Sequence, residues 1–240
     1  MKKGKKYSTR VYRRLILAAV CLLAGVIGCT ASAQKKIIEV PYLSQEKKAA
    51  TGCELVSATM LLQYHGKKVT VEEMIQAVPK SDLEETEKGL VGVHPASAFI
   101  GDPHSDTGFG CYAPVVVDTI NQFLPQEEKK AVDLTGKEMQ TLISDFIDRD
   151  RPVLLWATMN MTEPKPGDSW TLKDTGKKFQ WIAGEHCLVL VGYDRSSYYF
   201  NDPYETKGVV SYPKKLVERR YQALGRQAVA ILESSGASIP

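Results

Sequence analysis

The sequence predicts an α+β fold, with a helical lobe first and a mostly antiparallel sheet second. Two patterns carry this expectation. Apolar residues recur at helical spacing before Arg151-Pro152, and short apolar or alternating runs follow it. The third observation is bulk. The chain has 240 residues, 43% hydrophobic and 25% charged, enough to bury a core without disulfide staples.

The first helix is expected from about Gly52 to His65, with Leu55, Ala58, Thr59 and Leu62 on one face and Gly66 ending it. Thr51-Gly52-Cys53-Glu54 reads as a capping box, with Thr51 as N-cap and Glu54 reaching back. A short helix follows Thr70 and stops before Pro79. Residues 81–112 hold five glycines and little periodicity, and are expected as a loop that borders a site or simply covers the surface. Ala113-Pro114 opens a helix to about Phe123. Thr135 to Glu138 is a second capping-box pattern, before a helix with Met139, Leu142, Ile143 and Phe146 buried.

Strands are expected at 37–43, 153–158, 186–193, 198–201, 208–212 and 227–232, with a helix from about Pro213 to Ala223. Residues 160–181 read as a polar loop. Of the three tryptophans, Trp156 suits the core, while Trp170 and Trp181 are the candidates for a substrate groove.

Charge is unevenly spread. Residues 1–14 hold seven Lys or Arg and no acid, and residues 15–33 hold no charge. Without those seven, the net +3 becomes −4 for residues 34–240. The basic balance belongs to the leader, so no nucleic-acid partner is expected. Leu15 to Gly28 is too short for a comfortable membrane span and is flanked like a secretory signal. Val26-Ile27-Gly28-Cys29 resembles a lipobox, which would lipidate Cys29. Ala31-Ser32-Ala33 suits a signal peptidase site before Gln34. An uncleaved anchor is the third option. The expected organisation is a leader at 1–33 and one exported domain at 34–240. Its location is extracellular or at the cell surface, with any membrane contact made through the leader or lipid, and it is expected to be a monomer.

Cys53, Cys111 and Cys187 remain in the exported part. Three is odd, so at least one thiol stays unpaired within the chain. A Cys111–Cys187 bridge would leave Cys53 free, but sequence does not choose the pairing. Cys53 sits at a helix start, where unpaired N–H groups and the dipole favour a thiolate. Simple burial is the alternative. A reactive cysteine needs a base. His65 lies about 18 Å along the same helix and is expected to complement its C-terminal dipole. His94 and His104 fall in the Gly-rich loop. Asp102, His104 and Asp106 invite a metal, but such loops are common, and no metal or cofactor is expected. His186 begins the apolar run HCLVLVGY, where it can face a crevice. Asp202 ends the next strand. A plain four-residue hairpin loop would pair Asp202 with Val189, on the wrong pleat face. An odd-length loop, a bulge or a chain that turns away would correct this.

HCLVLVGYDRSSYYFND (186–202) resembles the His-to-Asn stretch of papain-like cysteine peptidases, with Asp as in the bacteriocin-processing, double-glycine branch. VPYLSQ followed by TGCELVSATMLLQYHG, and GDP…GFGCYAP, are similar to stand-alone exported members. The resemblance implies a papain-like two-lobed fold and hydrolysis of a peptide or protein substrate. In it Cys53 is the nucleophile, His186 the base, Asp202 the residue that orients the imidazole, and Gln45 an oxyanion-hole donor beside the Cys53 N–H. Two other readings stay open: an amidase or acyl transferase with the same machinery, and a non-catalytic binding module on this scaffold.

Overall fold

A computed structural model describes residues 35–46, 48–125, 127–204 and 208–234. The leader expected at 1–33, with its two candidate cleavage signals and Cys29, lies outside the described residues. Among these residues no helix is long and apolar enough to cross a membrane.

The centre is a seven-stranded antiparallel sheet. Its strands are β1 (Lys36–Ile37), β6 (Lys129–Asp133), β7 (Val153–Thr158), β10 (Glu185–Tyr193), β11 (Ser197–Asn201), β12 (Val209–Pro213) and β13 (Ala228–Glu233). The order is β12-β11-β10-β7-β13-β6, with β1 added on β10. β7 and most of β10 are buried on both faces, which is why they read as unbroken apolar runs. The expected strand at 37–43 shrinks to its first residues. Gly192 admits β1, because a Cβ there would collide with the Lys36 carbonyl.

Helices cover both faces. α1 (Cys53–Tyr64), α2 (Val71–Ala77) and α3 (Ala113–Asn121) pack on the face that carries Trp156, Cys187, Val189 and Val191. α4 (Met139–Asp145) and α5 (Lys214–Ala223) cover the face of Leu155, Leu188 and Leu190. α1 is buried from Cys53 through Leu62 rather than along one stripe, because the sheet and two helices surround it. Gly66, at φ +79°, and Lys67 donate to the Gln63 and Leu62 carbonyls and close the helix.

The two expected capping boxes do not form. Gly52 is the N-cap of α1, and Glu138 that of α4, both without a side-chain cap. Thr51 instead donates its hydroxyl to the Ser105 carbonyl at 2.9 Å. The capping box that does form joins Thr70 and Glu73 at the start of α2.

The supposed loops at 81–112 and 160–181 contain a second sheet. β3 (Glu84–Thr86), β4 (Gly89–Gly92), β8 (Lys165–Leu172) and β9 (Lys178–Ala183) pair in that order. β2 (Lys80–Ser81) and β5 (Phe99–Ile100) form a further parallel pair. A small sheet with one wet face needs few apolar residues, so its strands look polar in sequence. Trp170 and Trp181 are 1% and 6% exposed and stack on each other beside Phe109, Tyr112 and Phe179. They hold this sheet together and do not line an open groove.

Candidate active site

Three segments converge where α1 begins. The first is Ile38 to Gly52. Asn201 Nδ2 donates to the Val40 carbonyl at 3.0 Å, and Gln45 N donates to the Pro203 carbonyl at 2.8 Å. These bonds lay the VPYLSQ stretch along the end of β11. The chain then folds tightly, with Ala49 N bonding Gln45 O and Gly52 N bonding Ala49 O, each at 3.0 Å. Gly52 permits this turn, since a Cβ there would lie 2.9 Å from that of Ala49.

Cys53 is the first residue of α1 and is 5% exposed. Its Sγ accepts the backbone N–H of Cys187 at 3.3 Å and lies 3.4 Å from Glu54 Oε2. Cys187 is the residue after His186, so α1 docks its cysteine directly on the start of β10. The cysteines 53, 111 and 187 are all free and share one buried cluster. Cys187 alternates away from His186, onto the face where Cys53 packs.

His186 Nε2 and Asp202 Oδ1 are hydrogen-bonded at 2.7 Å, and both residues are 1% exposed. Asp202 also accepts the Tyr204 N–H at 3.0 Å and the Tyr212 hydroxyl at 3.5 Å. Burial pushes the Asp202 carboxyl up, but the His186 hydrogen bond and charge, with those two donors, hold it below the usual range. His186 Nδ1 is buried and has no hydrogen-bond partner. Tyr204 meets the ring edge-on at 6.3 Å.

Gln45 is 4% exposed. Its Nε2 donates to the Ala50 carbonyl at 2.9 Å, inside the turn that precedes Cys53, and its Oε1 has no partner. One of its two amide hydrogens is therefore committed.

The thiol is not primed as a helix start alone suggests. Burial, then the Glu54 and Glu185 carboxyls, push Cys53 well up, and the Cys187 N–H only partly opposes them. Burial, and next to it the charge of two facing carboxyls, outweighs the helix end, and of these the sequence spacing does not reveal Glu185. Glu54 turns inward, where Oε1 accepts the Cys111 N–H at 2.7 Å. Cys53 Sγ and one oxygen each of Glu54 and Glu185 lie within 4.8 Å of one another, the arrangement among the described residues that has donors for a metal ion. Sequence reasoning missed Glu185. The signal was an acidic residue immediately before His186 at the head of an apolar strand.

The other histidines are occupied elsewhere. His65 caps α1, but burial lowers it to about 4, so it is neutral and does not complement the dipole. His104 Nδ1 contacts the Lys48 carbonyl at 2.8 Å, and its Nε2 lies 3.4 Å from Glu72, not on Asp102 or Asp106. His94 bonds the Ala96 N–H and packs on Phe179. Residues 101–112 border the site, through Thr51 and Cys111. A cavity of about 400 Å³ between Tyr112, Pro114, Ile182 and Gln227 lies beyond them and is lined by neither Cys53 nor His186.

Comparison with known proteins agrees with this architecture. The chain is similar to the uncharacterized protein YvpB of Bacillus subtilis (strain 168), 25% identical across 90% of this chain and 97% of that one. It superposes on a crystal structure from Bacillus anthracis, a candidate C39-like peptidase, with TM-score 0.74 and 28% identity over 84% of this chain and 99% of that one. A double-glycine motif protease from an AMS/PCAT transporter, solved with its leader peptide, aligns at TM-score 0.43 and 17% identity over 82% of this chain and 93% of that one. The model of the Peptidase_C39 like family matches residues 37–229, and the chain belongs to that family.

Proposed function

We propose that this protein is an exported cysteine peptidase that hydrolyses peptide bonds through an acyl-thioester on Cys53. The observation that best supports it is the buried His186–Asp202 contact. Asp202 takes Nε2 of His186, which leaves Nδ1 as the buried nitrogen free to accept a thiol proton. In this reading His186 removes the proton from Cys53 Sγ, and the sulfur attacks the carbonyl carbon. The imidazolium then gives that proton to the departing amine as the C–N bond breaks. Water, deprotonated by the same imidazole, cleaves the thioester and restores the thiol.

The negative oxygen formed on attack needs donors. As the first residue of α1, Cys53 has a backbone N–H with no acceptor inside the helix. Gln45 supplies its uncommitted amide hydrogen. Loss of one such donor costs on the order of 100-fold or more in rate. Export rests on the composition of residues 1–33.

The upward push on the Cys53 thiol favours a second reading, a scaffold that binds peptides without cutting them. The test incubates the protein and its Cys53→Ala variant with a mixture of peptides and cell-wall fragments, read by mass spectrometry. New peptide termini that require Cys53 support the peptidase. Cleavage confined to side-chain or cell-wall amides assigns an amidase. Retained but intact peptides assign the binding module.

A further inference from the structure

We propose that Glu54 and Glu185 form a buried acid pair that shares one proton, and that this proton controls how readily Cys53 ionises. The functional meaning rests on the reading of Cys53 as nucleophile, but the pair itself does not.

Glu54 is 0% and Glu185 7% exposed, and their nearest ligand oxygens lie within 4.8 Å of each other and of Cys53 Sγ. Among the described residues no Lys, Arg or His forms an ion pair with either, and no cation opposes their shifts. Two carboxylates this close in a dry interior do not both stay charged without a cation. The hydrogen bonds fit one proton. Glu54 Oε1 accepts the Cys111 N–H at 2.7 Å, while Glu185 Oε1 is buried with no partner. The Cys53 thiol and the Cys111 N–H both donate to Glu54, so a shared carboxyl proton is what would engage the Glu185 carboxyl.

The backbone makes room for the pair. Gly110 has φ +146°, and a Cβ there would collide with Glu54 Oε1 and lie 3.3 Å from Glu185 Oε2. The other titratable groups that face the pair are Cys53 on α1, Cys111 and Tyr112 beside Gly110, and Cys187 on β10. Burial is the first cause that pushes each of them up, and both glutamates add to it. With one proton the pair carries a single negative charge. When that proton leaves to solvent, a second charge appears beside Sγ, and forming a thiolate becomes harder. Cys53 reactivity then rises with pH less steeply than that of an isolated thiol.

The test measures iodoacetamide alkylation of Cys53, resolved from Cys111 and Cys187 by peptide mass spectrometry, from pH 5.5 to 9. Glu54→Gln and Glu185→Gln keep the side-chain shape and remove one charge. Each should raise the rate at pH 8.5 by ~10-fold or more and change it far less at pH 6. Parallel profiles in the wild type and both variants would overturn the proposal. Infrared spectroscopy of the wild type gives a readout that does not depend on variant folding. A protonated-carboxyl band at neutral pH supports the pair, and its absence overturns it. Stoichiometric zinc in the purified protein, lost in Glu185→Gln, would also overturn it by putting a cation where the proton should be. If peptides are never cut but the infrared band is present, the peptidase reading fails and the acid pair stands.

Discussion

His186 and Asp202 share a pleat face because β10 carries one extra residue opposite β11. Tyr193 pairs with Tyr198, but after a bulge at Val191 the register moves by one, and Val189 pairs with Asn201. Asp202 follows on the side of His186, and Nε2 reaches Oδ1 at 2.7 Å. An unbroken ladder would have set Asp202 opposite Val189, facing the helices of the other layer.

The first prediction concerns that contact. Asp202→Ala leaves His186 Nε2 without its acceptor and removes the force that orients the ring. Peptide hydrolysis should fall by roughly 100-fold or more in kcat, with a smaller change in KM. Steady-state kinetics, with circular dichroism to check folding, would test this. The contact should also survive mild acid. Asp202 is held below its ordinary value of 3.8, so the stability it contributes is present above that pH and is lost only as pH falls through the lower folded-state value.

Gly192 lies just past the bulge, where β1 pairs with β10. In Gly192→Ala the new methyl meets the backbone carbonyl of Lys36, which cannot swing aside like a side chain. Urea unfolding should show a loss of about 1–3 kcal/mol.

Trp170 provides a test of the second sheet. Its ring is 1% exposed, and its Nε1 donates to the Val93 carbonyl at 3.0 Å. Trp170→Ala should cost ~3–5 kcal/mol in stability and leave KM for a short peptide nearly unchanged. A large KM effect without destabilisation would place this residue in a substrate groove after all.

Stability should depend on pH through Glu54. Burial raises its carboxyl from 4.5 to about 7, so the folded chain holds a proton that the unfolded chain releases. That contribution is fully present below pH 4.5 and is lost as pH rises through about 7. His65 has the opposite sign, since its value is lowered from 6.5 to about 4 and its contribution is lost as pH falls between them. Urea titrations at several pH values should therefore show a smaller decline from pH 5 to 7.5 in Glu54→Gln than in the wild type.

Much of the main sheet was legible because its central strands are apolar on both faces. The segments from Val153 to Thr158 and from His186 to Tyr193 could hardly be anything else. The second sheet was not, because Lys165 to Ala183 buries so little that its strands resemble a solvated loop. At the site, local order revealed Cys53 at a helix start and His186 at a strand start. The environment of the thiol stayed hidden, since Glu185 approaches it from 132 positions away along the chain. Thr51 shows the same limit. Its sequence matched a cap, but two loop carbonyls, those of Asp102 and Ser105, compete for its hydroxyl and win.

The central idea is that the Cys53 sulfur, prepared by His186, becomes acylated by substrate. The most direct measurement is an acid quench during peptide turnover, followed by mass spectrometry of the fragment that carries Cys53. The account predicts an acyl group on that sulfur, absent in His186→Ala. Cleavage that persists in Cys53→Ala, with no acyl group trapped on the wild-type fragment, would contradict it.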